Sequence, residues 1–162
     1  MNILSSYLIH EDTIALLPTA HTDYYTRVYE KSRQLLIRKT PLDILRATCL
    51  EDCTTYEGRR AAIIHHTGYK RKVPMMIRTS PHLFLFPTRS PSDFSCKWIM
   101  FHHVSHIKPY ENPKNPAIQS IITFQNGTTL ELEESYYTIE KQLFRTNICR
   151  MRFSSPQSKI SI

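Results

Sequence analysis

Two groups of residues in this 162-residue chain have the types and spacing that chemistry requires. The first is cationic. The stretch from Gly58 to Arg89, "GRRAAIIHHTGYKRKVPMMIRTSPHLFLFPTR", carries seven Lys or Arg residues and no Asp or Glu. Unmixed charge repels itself and opposes compaction, so a surface that needed only solubility would intersperse both signs. A polyanionic partner gives such a set a use. Within it Arg59, Arg60, Lys70, Arg71, Lys72 and Arg78 are the candidate contacts, because apolar runs between them (Ala61 to Ile64, Val73 to Ile77, Leu83 to Phe86) can pack and let folded backbone present the charges.

The second group is nucleophilic and metal-ligating. Cys49 and Cys53 stand one helical turn apart, with His65 and His66 following, and "FHHVSHI" offers His102, His103, Ser105 and His106. Neither set completes a site. No second CxxC or HxxxH joins the first, and two adjacent histidines are poorly placed to reach one tetrahedral ion. For the second there is no GxSxG elbow, no phosphate-cradling glycine loop and no telling carboxylate pair, in a chain with three glycines. We expect no catalytic residue, no metal and no cofactor. An enzyme with a metal or a histidine at its centre is the class-distant alternative.

The elements that must position these residues are legible in outline. "TIALLPT", "TRVYEKS" and "QLLIRK" read as strands, and "PLDILRATCLED" as a helix with Thr40 as cap and Pro41 in its first turn. "YEGRRAAIIHH" reads as a second, short helix weakened by Gly58. "VPMMIR", "HLFLFPT" and "KWIMFHHVSHI" read as strands. The alternation in "HLFLFPT" puts apolar side chains on both faces, so that strand must be covered on both. As a strand, "KWIMFHHVSHI" would turn His102 and His106 to one face and Ser105 to the other. Asn126 and Gly127 suit a type I′ turn inside a hairpin. The following "SYYTIEKQLFRTNICRMRF" reads as an amphipathic helix capped by Ser135, with Tyr136, Ile139, Leu143, Ile148 and Met151 as its apolar stripe. Its cations Lys141, Arg145 and Arg152 recur on nearly one face; helix electrostatics alone favours them near the C-terminus.

Composition frames these elements as one α+β domain, a mostly antiparallel sheet with two or three helices, over residues 1–153, followed by a flexible tail at 154–162. Hydrophobic residues make up 41% of the chain, enough for a sizeable core. A net charge of +7 and a pI near 9.3 favour nucleic acid. No apolar run has spanning length and the start lacks a signal-peptide pattern, so no membrane role is expected. Four scattered cysteines read as reduced thiols of a cytoplasmic protein.

Several motifs then point to one family. "TPLDILRATC", "YEGRRAA", "HLFLFPT", "WI" ahead of "HV", "FQNGTTLELEESY" and "FRT" in the last helix follow in an order and spacing that resembles the bacterial competence transcription factor family, ComK. The resemblance runs from about Ile14 to Phe153. It implies a cytoplasmic DNA-binding activator of DNA-uptake genes that recognises paired A/T-rich boxes through the minor groove, acts as a dimer or tetramer of itself, and works with RNA polymerase. In that setting arginines suit the groove better than lysines, being less strongly hydrated, and Arg145 and Arg152 become a second basic surface. Two departures stand out. "LEDCTT" replaces a basic-aromatic-glycine segment, and the chain ends nine residues after Phe153, a C-terminally shortened member in which the protease-adaptor contact of the family's C-terminal extension is not expected. A non-activating paralogue acting through protein contacts is the alternative reading.

Overall fold

The computed structural model describes residues 2–154. The chain opens with β1 (Ile3–Leu4), β2 (Thr13–Pro18), β3 (Thr26–Glu30) and β4 (Gln34–Ile37), then α1 (Pro41–Glu51) and α2 (Tyr56–Thr67). It continues through β5 (Met75–Thr79), β6 (His82–Pro87) and β7 (Trp98–Met100), a 3-10 turn at Phe101–His103, β8 (Val104–Pro109), β9 (Ser120–Phe124) and β10 (Thr129–Leu132), and closes on α3 (Tyr136–Ser154). Seven strands form one sheet in the order β1-β4-β3-β2-β7-β6-β5, and three form a second in the order β10-β9-β8. Among the described residues only the β1–β4 pair is parallel. This is the expected α+β domain with mostly antiparallel pairing. Of the tail expected at 154–162, Ser154 ends α3 and the rest lies outside the described residues.

Local chemistry accounts for the helix starts. Thr40 accepts the Asp43 amide at 3.2 Å, with Pro41 behind it in the first turn. Thr55 caps α2 by accepting the Gly58 amide at 2.9 Å. Gly58 therefore does not weaken this helix in the way a mid-helix glycine would: a Cβ there would sit 2.8 Å from the capping oxygen Thr55 Oγ1. Ser135 caps α3 through the Thr138 amide at 3.2 Å.

Two expectations are corrected. "KWIMFHHVSHI" is two strands in two different sheets, split by the 3-10 turn. The turn is pinned by its histidines, with His102 Nε2 on the His82 carbonyl at 3.0 Å and His103 Nε2 on the Glu11 carbonyl at 2.6 Å, so the strand-face assignment of His102, Ser105 and His106 does not hold. The Asn126–Gly127 hairpin is present, but only Gly127 has a positive φ, of 90°. Its amide returns to the Phe124 carbonyl at 2.9 Å, the arrangement of a type I turn followed by a left-handed residue, not a type I′ turn.

The large sheet is covered on both faces. On one side Leu16, Val28, Phe84 and Trp98 pack against Ile44 and Leu45 of α1 and Ile63 of α2. Opposite, Ile14, Phe86 and Ile99 meet Ile122, Phe124 and Leu132 of the small sheet and Ile139 of α3. β6 is accordingly buried from Leu83 to Pro87, as its two-sided apolar pattern requires. Cys49, Cys96 and Cys149 are buried, and burial pushes their thiols up to about 11, so they pack as protonated small hydrophobes. No helix among the described residues is long and apolar enough to cross a membrane.

Candidate nucleic-acid interface

The chain leaves α2 through Gly68, which takes the left-handed conformation at φ 75° and returns its amide to the Ile64 carbonyl. Tyr69 then tucks beneath the guanidinium of Arg145, 4.3 Å from its ring centre. The next three residues, Lys70, Arg71 and Lys72, form a ridge whose backbone faces the protein. Arg145 Nη2 donates to the Arg71 carbonyl at 2.8 Å, and Gln142 Nε2 to the Lys72 carbonyl at 2.9 Å. Arg145 Nη1 reaches Lys72 at 3.4 Å, and Arg60 Nη2 reaches the Lys70 carbonyl at the same distance. With three consecutive carbonyls turned inward, the side chains of Lys70 and Arg71 are exposed and that of Lys72 half-exposed. Lys72 is one of two non-glycine residues at positive φ among the described residues, 50°, a strain that these bonds hold in place.

Arg145 is buried. It is joined to Gln142 Oε1 at 2.7 Å, and its partners are neutral acceptors and an aromatic face; no carboxylate pairs with it among the described residues. Burial lowers its pKa. An unneutralised cation directly under the ridge adds to the positive potential of the three above it.

Clefts flank the ridge on either side. One, of about 840 Å³, runs between Arg60 with Lys70 to Lys72 on one wall and Thr88 to Asp93 on the other, with Ser135 and Thr138 of the α3 start at its end. The other, of about 580 Å³, lies between the ridge and the α3 residues Lys141 and Phe144. Arg152 stands farther along α3, exposed, with Nη2 3.0 Å from His66 Nδ1 in the last turn of α2.

Three of the eight candidates do other work. Arg59 is held by Asp52 at 3.0 Å, both side chains being nearly buried, and by the Met76 carbonyl at 2.9 Å. Arg78 Nη1 turns to the Ile9 carbonyl at 3.3 Å, and its Nε is buried. Arg145 supports the ridge from below. Arg59, Arg78 and Arg145, named as candidate contacts, have each been drawn into internal hydrogen bonds. Arg60, Lys70, Arg71, Lys72 and Arg152 keep charge at the surface. Lys141 joins the ridge, and Gln142 underpins it. Gln142 had a signal in sequence: it lies one turn after Ile139, in phase with the buried face, where a polar residue needs buried partners.

Among the described residues no three His, Cys, Asp or Glu side chains are grouped to hold a metal. The family model described as ComK protein matches residues 4–158. The chain belongs to the ComK family. The Competence transcription factor of Bacillus subtilis (strain 168) is 34% identical over 151 residues, which cover 93% of this chain and 76% of that protein. No solved structure matches the chain closely enough to count as a relative. ComK membership and this likeness support a competence transcription regulator, which is not an enzyme class.

Proposed function

We propose that this chain is a DNA-binding activator of competence genes that recognises A/T-rich duplex through the minor groove. The observation that carries the reading is the ridge: three consecutive cations whose carbonyls are tied inward by Arg145, Gln142 and Arg60, with no acid neutralising them in the described residues. A/T-rich tracts narrow the minor groove and deepen its negative potential, so a projecting guanidinium prefers them without reading base edges uniquely. Arg71, exposed at the crest, and Arg60 on the cleft wall are the groove residues; Lys70, Lys72, Lys141 and Arg152 follow phosphates. Paired boxes call for at least two copies, so the acting form is a homo-oligomer in the cytoplasm that engages RNA polymerase.

The test is a shift assay on A/T-rich and G/C-rich duplexes of equal length across salt. Affinity should fall steeply with salt, with a log–log slope of about −0.9 for each phosphate neutralised, and the A/T-rich duplex should bind more tightly. Binding that ignores both salt and base composition would overturn the reading.

A further inference from the structure

α3 carries its polarity inside out. Its buried face holds Gln142, Arg145 and Thr146 between Ile139 and Cys149, while Tyr137, Phe144 and Met151, spaced seven apart, lie exposed on the opposite side. Phe144 is the member of this outer stripe that walls two clefts at once. One holds Lys70, Arg71, Lys72 and Lys141. The other, about 550 Å³, holds His102 and His106 with Glu140, whose carboxylate accepts the Tyr136 hydroxyl at 2.6 Å. The Phe144 ring is 66% exposed beside four cations. The same cations argue against a second copy on this face, since they would meet their own kind, and favour a polyanion with apolar planes to offer.

Resting on the DNA-binding reading above, we propose that Phe144 is an unstacking wedge: once the ridge has engaged the phosphates, its ring presses into a pyrimidine–purine step and takes the place of a neighbouring base in the stack. Exposed Phe, Leu and Met side chains do this in minor grooves, and TA steps yield most readily. The wedge gives the protein a preference that groove width alone does not supply, because it separates TA-containing A/T sequence from stiff A-tracts of identical composition.

The experiment places 2-aminopurine at the purine of one TA step in an A/T-rich duplex and follows fluorescence and affinity together, for the parent and for Phe144→Ala, Phe144→Leu and Phe94→Ala. Phe94 is matched in type and exposure, at 65%, but lies in a cleft without a cation. The parent, Phe144→Leu and Phe94→Ala should brighten the probe on binding. Phe144→Ala should bind about tenfold more weakly, leave the probe dark, and no longer distinguish TA from AA steps. Equal brightening by Phe144→Ala and parent, or a dark probe under bound parent, would overturn the wedge and leave the DNA reading intact. A parent that binds no DNA would overturn both. Dissociation of a DNA-free oligomer by Phe144→Ala in sedimentation would reassign the face to self-association.

Discussion

The large cleft has two walls, and each presents arginine. On one, Arg71 stands with Lys70 and Lys72 and no acid pairs with the three among the described residues. On the other, Arg89 is clamped by Glu134 through Nε, by Glu133 at 2.8 Å, and by Asp93 at 3.8 Å. In sequence Arg71 and Arg89 belong to one acid-free stretch and look alike. They differ because the exit of the β9–β10 hairpin brings two carboxylates to Arg89, whereas α3 brings Gln142 and Arg145 to the ridge. One wall is a structural clamp and the other an open charge, and the distinction is made by residues far away in the chain.

The ridge owes its shape to a buried cation, so the largest effect is expected from Arg145→Met. The Arg71 carbonyl loses its donor and Tyr69 its stacked partner. Stability should fall by about 2–3 kcal/mol in urea denaturation. DNA affinity should fall by more than the roughly tenfold expected of one exposed contact, because the positions of all three ridge side chains relax together. A variant of normal affinity would mean that the loop keeps its form without support from α3.

The next effect separates the walls. Arg89→Ala should cost about 2–3 kcal/mol, somewhat less than the ~3–5 of a fully buried pair, because 31% of its side chain is exposed while Glu134 is left nearly buried without its cation. DNA affinity should scarcely change. Arg71→Ala should do the opposite, leaving stability within ~0.5 kcal/mol and lowering affinity by about tenfold with a loss of A/T preference. If Arg89→Ala weakened DNA binding while its melting temperature held, both walls would be contact surfaces and the clamp would be the wrong description.

The sequence made the elements readable where a local rule governs them: Thr40 before Pro41, Ser135 before α3, Asn126–Gly127 between alternating runs, and the two-sided apolar pattern of β6. It misled where a distant partner overrides the local pattern. Of the apolar stripe expected through Tyr136, Ile139, Leu143, Ile148 and Met151, Ile139 is buried and Leu143 packs beside it, but the buried face continues through Gln142, Arg145, Thr146 and Cys149, because the ridge carbonyls require donors. The break at Phe101–His103 was hidden for the same reason: it is fixed by carbonyls of Glu11 and His82. Of the candidate contacts, the ridge was legible as a run of cations. Which arginines were already spoken for was not, since Ile9 lies 69 residues from Arg78 and the Met76 carbonyl 17 from Arg59.

The smallest expected effect concerns two neighbours in α2. Arg60 faces the cleft, while Arg59, one position earlier, is bound to Asp52, which also accepts the amide and hydroxyl of Thr79. Burial pushes the Asp52 carboxyl up, but the hydrogen bonds from Arg59 and Thr79 outweigh it and hold the group below its ordinary value. A carboxylate with a lowered folded pKa contributes stability that is fully present above its unfolded pKa and is lost as the pH falls through the folded one. Arg59→Met should therefore cost about 1–2 kcal/mol at neutral pH, Thr79 retaining part of the network, and the gap to the parent should close on acidification below the ordinary carboxylate range. The A/T preference of Arg59→Met should match the parent's, whereas Arg60→Met should weaken it. Denaturation midpoints measured from neutral to acid pH, with shift assays at neutral pH, would settle the assignment. A pH-independent gap would remove Asp52 from the account, and a lost A/T preference would place Arg59 in the groove.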